Sequence, residues 1–207
     1  MELKLLVVKK VLYLYIMTKI KDRITKMKNT LQNIIKELRQ GSSLVLGNEN
    51  FSNEIILNQS VQSSILGDIT FYKVDFRNVN FIGSHLVACN FKNCLFDNVL
   101  LVKCEVWNCT FENCQIENCN LVRANFYDSN FKNCNFINSD LTASYFSQVE
   151  FIETIFKDSK FDFIAVDSVK VSGLGQSITV DELVRFEKTL NDMNLLISTD
   201  HDDIENS

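Results

Sequence analysis

Proline is absent from this chain of 207 residues and glycine occurs only six times. That leaves little room for flexible or Pro-rich linkers and points to one continuous domain with attached ends. Histidine occurs twice, as His85, expected at a turn, and as His201 in an acidic tail. Neither stands at a motif spacing from a nucleophile or an acid, and G-x-S-x-G, Walker and G-x-G-x-x-G loops are missing as well. The lone Gly173-x-Gly175 reads as a loop where the pattern described below stops. No catalytic residue, cofactor or metal ligand is therefore expected. Long apolar runs are also lacking. Residues 1–16 are rich in Leu and Val, but Lys9 and Lys10 interrupt them. The run is too short and too charged for a membrane-spanning helix, and it has no Ala-x-Ala exit of a signal peptide. Met17 offers an alternative start, and residues 1–16 are expected to be dispensable.

What the chain does have is a period of five. Every fifth residue from 46 to 171 is large and apolar, 26 positions without exception, beginning Leu46, Phe51, Ile56, Val61, Leu66, Phe71. A repeat of five fits neither the 3.6-residue helix nor the two-residue strand, so it indicates a solenoid that buries one centre per repeat. Two positions before each centre the chain is mostly small or β-branched, as at Val74, Val79, Ser84, Cys89, Cys94 and Ala124. One large and one small inward residue per repeat is what a close-packed interior needs. Asn or Asp is frequent just before the centre, as at Asp75, Asn80, Asn120 and Asp140, where a tight turn is expected. Asn recurs two positions after it, as at Asn78, Asn98, Asn118 and Asn138, where stacked amides can bond along a column.

Stretches such as Cys119-Asn120-Leu121, Ala124-Asn125-Phe126, Ser129-Asn130-Phe131, Cys134-Asn135-Phe136 and Ser139-Asp140-Leu141 resemble the pentapeptide-repeat family, whose pattern is roughly Ala-Asp/Asn-Leu/Phe-x-x. The resemblance is specific over about residues 69–159. It implies an all-β solenoid, a right-handed quadrilateral β-helix with four repeats per coil, so that residues 20 apart stack. At about 4.8 Å per rung, some six coils make a rod roughly 30 Å long.

All seven cysteines, Cys89, Cys94, Cys104, Cys109, Cys114, Cys119 and Cys134, fall at the small inward position. Zinc needs four converging ligands, and the C-x2-C spacing never occurs. An odd-numbered, column-stacked set also argues against a disulfide framework. They read as buried free thiols, small apolar fillers in a reducing compartment, and the protein is expected to be cytoplasmic.

The ends differ from the middle. Residues 1–45 carry ten Lys/Arg against three acids, residues 46–171 nine against fifteen, and residues 172–207 two against eight. In the basic segment Tyr13, Met17, Ile20, Ile24, Met27, Leu31, Ile34 and Leu38 fall on one helical face. The expectation is a helix that caps the first coil, with a coiled coil or an anionic membrane surface as alternatives. Thr179 with Glu182 forms a capping box, and Leu183, Phe186, Leu190, Met193 and Ile197 continue the three-four spacing. The organisation expected is thus a basic helical segment over 1–45, the β-helix over 46–175, a capping or dimerisation helix over 176–198, and an acidic disordered tail over 199–207.

Family members that act on type II topoisomerases mimic duplex DNA, and the resemblance raises that role here. Sorted into four sides, however, the outward charges of residues 70–168 sum to no more than −3 on any side, the most acidic carrying Glu105, Asp128 and Asp167. That is not a phosphate-like array. The conspicuous surface is apolar. Ile82, Val102 and Val122 form one expected outward column, Val87, Trp107 and Tyr127 the next, with Leu100 nearby. Contiguous exposed apolar and aromatic groups mark protein interfaces. The function expected is a non-enzymatic, rigid protein–protein interaction scaffold for an unidentified protein partner, with homodimerisation through a terminal helix open and no direct nucleic-acid binding. A DNA mimic that binds gyrase or topoisomerase is the alternative, and a membrane-surface adaptor using the basic helix is the second.

Overall fold

The structure, a computed structural model, describes residues 30–36 and 42–173. The chain winds as a parallel β-solenoid of about six four-sided coils. Three-residue strands from Val45–Gly47 to Ala165–Asp167 stack into a seven-stranded sheet on the first side. Those from Asn50–Ser52 to Lys170–Ser172 make a second seven-stranded sheet, and those from Ile55–Leu57 to Ile155–Lys157 a six-stranded third. The fourth side is held by single bridges along Ser60, Asn80, Leu100, Asn120, Asp140 and Lys160. Every pairing is parallel with an offset of twenty residues, as in Val106 opposite Leu86 and Phe126.

The corners explain why so few glycines suffice. Each residue two positions past a centre, from Asn48 to Gly173, takes a left-handed backbone with φ between 48° and 65°. Only Gly83 and Gly173 among these are glycine, and asparagine holds eleven of the positions. Asn tolerates this region better than other side chains do. Its amides also bond up the rod. Asn78 Nδ2 donates to Asn58 Oδ1 at 2.9 Å, Asn98 to Asn78 at 2.6 Å and Asn138 to Asn118 at 2.8 Å. On the fourth side the corner closes as a type II turn: Ser84 N donates to Phe81 O at 2.9 Å across the positive φ of Gly83. Here alone do the Asn and Asp residues before the centre act as turn residues, Asn80, Asn120 and Asp140 each accepting from the backbone N–H two residues on. On the other three sides that position opens a strand, His85 included, which corrects the expectation of a turn there.

The core is a set of ladders. All centres are buried except Phe161 and Val166, which are partly so. On the second side Phe71, Phe91, Phe111 and Phe131 stack with centroids 4.8, 4.8 and 4.5 Å apart and planes within 10°. The third side adds Phe76 on Phe96 and Phe136 on Phe156, and edge-to-face contacts such as Phe131 to Phe136 tie the two ladders together. Each buried ring contributes about 1.5–3 kcal/mol by burial alone.

The small inward residues do more than fill space. Ser84 Oγ donates to Val61 O at 2.9 Å and accepts from Ser64 N at 3.0 Å, tying its own rung to two points on the rung below. Ser139 and Thr154 repeat this, and the thiols use the same geometry, Cys104 Sγ reaching Phe81 O at 2.9 Å. The cysteines are therefore hydrogen-bonding rung connectors as well as fillers. All seven are free and buried, and burial pushes the thiols of Cys104 and Cys119 up to about 12.

At the N-terminal end, the short helix Leu31–Lys36 packs against the third side of the first coil and buries Leu31 and Ile35 in the core. The rest of the basic segment, the expected C-terminal helix and the tail lie outside the described residues.

Candidate interaction surface

The strand register on the first side places Val87, Trp107 and Tyr127 directly above one another. Their position one past a buried centre turns them outward by strand alternation. Trp107 and Tyr127 stack face to face, centroids 3.8 Å apart and planes 14° from parallel. Val87 and Trp107 are each 37% exposed and Tyr127 is half-buried. The Glu105 carboxylate, two residues before Trp107 on the same strand, lies 3.2 Å from His85 Nδ1 and accepts from Trp107 Nε1 at 3.5 Å. Partial burial, with Glu105 and Tyr145 close by, raises the Tyr127 hydroxyl above its ordinary pKa.

Ile82, Val102 and Val122 stack on the fourth side at the second residue of the type II turns, half-buried, with Leu100 bridging Asn80 and Asn120 beside them. The structure thus brings together the two columns as separate strips on adjacent sides. Gly83 and the exposed Lys103 and Arg123 form the corner between them.

Sequence reasoning missed three members of the first-side strip. Tyr145 meets Tyr127 edge-on at 5.7 Å and 70°, and His85 and Glu105 form its polar margin. The signal for Tyr145 was diagonal, one coil up and two residues back, which a search along columns passes over. Apolar side chains are exposed elsewhere too: Phe163 at 89%, Ile55 at 60%, Leu57 at 42% and Tyr72 at 36%. None of these stacks on an aromatic neighbour as Trp107 does, although Lys73 Nζ lies 5.0 Å from the Tyr72 ring centroid.

Among the described residues, no cluster of three His, Cys, Asp or Glu side chains could hold a metal ion. Nor is any helix there long and apolar enough to cross a membrane.

The model of the pentapeptide repeats matches residues 75–113 and 129–162, in eight copies. Those two stretches are pentapeptide repeats. No curated protein matches the sequence of this chain. Among solved structures, the chain is similar to HetL of Nostoc sp. strain PCC 7120, a pentapeptide-repeat protein involved in heterocyst differentiation regulation, at 10% identity over 67% of this chain and 92% of that one, TM-score 0.32. It is similar to QnrB1, a plasmid-mediated fluoroquinolone resistance protein, at 14% identity over 77% and 91%, TM-score 0.33. A Parabacteroides merdae ATCC 43184 protein provisionally assigned as a glycosyl hydrolase aligns at 6% identity over 68% and 86%, TM-score 0.32.

Proposed function

We propose that this chain is a non-enzymatic, cytoplasmic pentapeptide-repeat scaffold that captures a protein partner on its first side, with Val87, Trp107 and Tyr127 as the anchors. The observation that carries this reading is the stacked Trp107–Tyr127 pair, held on an in-register sheet and partly exposed to solvent. Trp and Tyr supply large contact area at low entropic cost, and a rigid surface loses little freedom on binding. Ile82, Leu100, Val102 and Val122 form an auxiliary strip around the corner.

The charge arrangement favours this reading over a DNA mimic. Four of the acidic side chains along the rod are paired with cations: Lys92 Nζ is 2.8 Å from Glu112, Arg77 is 3.0 Å from Asp75 on its own strand and 3.8 Å from Asp97 one rung away, and Lys160 is 3.9 Å from Asp140. A phosphate mimic needs the opposite, unneutralised charge at regular spacing.

The test is affinity capture from native lysate with the intact protein and the Trp107→Ser/Tyr127→Ser variant as baits, bound proteins being identified by mass spectrometry. A partner retained only by the intact protein supports the first side as the working surface, provided both baits keep the same β-sheet circular dichroism. A topoisomerase subunit retained equally by both overturns it in favour of the mimic.

A further inference from the structure

We infer that the void behind the strand Glu105–Trp107 is a dry site for one small apolar molecule of the size of dioxygen. The inference is independent of the binding role proposed above, which uses the outward face of the same strand. A single short side chain creates the space. On the first side the centres from Leu46 to Phe146 are Leu or Phe except at Val106, which stands between Leu86 and Phe126. In-register pairing with the strands above and below holds Val106 in line with both neighbours. A core held in this way relaxes little around missing carbon atoms, so the gap stays open.

The void measures about 20 Å³, above the roughly 10–15 Å³ that admits one water-sized guest. Leu86 and Val106 wall it on the first side, Leu101 and Leu121 on the fourth, and four phenylalanine rings close the rest. None of the eight side chains is more than 8% exposed, so the space lies inside the core. All of them are hydrocarbon. Cys104, two residues before Val106, directs its thiol to Phe81 O at 2.9 Å. No orphaned group calls for water either: among the described residues, Gln32 Oε1 at the N-terminal end of the rod is the only buried side-chain nitrogen or oxygen without a hydrogen-bond partner.

A water molecule needs about two to four polar partners in such a place and finds none. A small apolar molecule gives up no hydrogen bond on entering. It leaves water favourably and supplies dispersion contacts to walls that otherwise face nothing. A guest of two heavy atoms binds in the millimolar range or more weakly, so the site fills under gas pressure.

Methyl-resolved NMR of the full chain under pressurised dioxygen tests this, with dinitrogen at the same pressure as the diamagnetic reference. Dioxygen is paramagnetic and speeds the relaxation of methyl groups beside it. The methyls of Leu86, Leu101 and Leu121 relax several-fold faster under dioxygen than those of Leu46, Ile56 and Leu141, which are fully buried but do not line the void. Val106→Ile fills the space and removes this difference. Val106→Ala enlarges the space and increases it, an independent reading that introduces no overpacking. Both variants keep the β-sheet circular dichroism of the intact chain. Equal relaxation of lining and non-lining methyls in the intact chain overturns the inference, as does a difference that persists in Val106→Ile or fails to grow in Val106→Ala. Nuclear Overhauser contacts from the lining methyls to a bound water overturn it too, since the void would then be wet.

Discussion

Replacing Phe131 with Ala tests the ladder account of the core most directly. Phe131 is 1% exposed and stacks on Phe111 at 4.5 Å and on Phe151 at 5.2 Å, with Phe126 and Phe136 edge-on at 5.6 and 5.4 Å. Truncating such a ring costs about 3–5 kcal/mol, the spread reflecting how far the site collapses. Collapse is restricted here, because the rung spacing is held by backbone hydrogen bonds on both sides of the residue. Phe131 also lines a cavity of about 20 Å³, which would grow. The upper part of the range is therefore expected, about 4–5 kcal/mol including lost ring stacking. That corresponds to a fall in Tm of about 10 °C or more for a domain of this size. Phe131→Leu keeps most of the volume and should lose less than half as much. Urea and thermal unfolding followed by circular dichroism provide the comparison. A loss below about 1 kcal/mol for the Ala variant, or equal losses for Ala and Leu, would refute the interlocked-ladder account.

Other expectations are quicker to check. Val106→Ile places a methyl group beside the cavity lined by Leu86, Leu101, Val106 and Phe126 and should stabilise by about 0.5–1 kcal/mol in the same urea titration. Asn98 sits at φ 53°. Its replacement by Val should cost about 1–2 kcal/mol while Gly stays within a few tenths, and the opposite order would remove the left-handed corner as the reason for asparagine there. The native thiols, all seven buried, should resist a thiol-reactive disulfide reagent at pH 8 through lack of access and react in full after denaturation. Cys104 and Cys119 are held protonated in the fold, pushed up to about 12 against an ordinary value of 9.0. Their contribution to stability is therefore complete below pH 9 and declines as pH rises from there toward 12, because the unfolded chain releases those protons first. Urea midpoints that rise over this interval would contradict the burial of those thiols.

Much of the molecule was legible in advance because a period of five has few physical solutions. The 26 centres, the small inward partners and the twenty-residue stacking follow from side-chain volume and spacing alone. So did the columns Val87–Trp107–Tyr127 and Ile82–Val102–Val122, since register in a solenoid is arithmetic once the coil length is known.

What required the tertiary structure was everything set by direction and neighbours rather than by count. The four sides are not equivalent: three carry strands and one carries type II turns, so the same Asn before a centre opens a strand on one side and caps a turn on another. The thiols and hydroxyls at the inward position bond to backbone twenty and twenty-three residues away, contacts that exist only once the rungs are stacked. Tyr145 joins Tyr127 along a diagonal, and Lys103 and Arg123 divide the apolar surface into two strips, because the corner turns the chain between them. Hydrophobic periodicity determines which residues go inside and how many per coil, whereas hydrogen-bond direction and the angle at each corner decide what the outside presents to a partner.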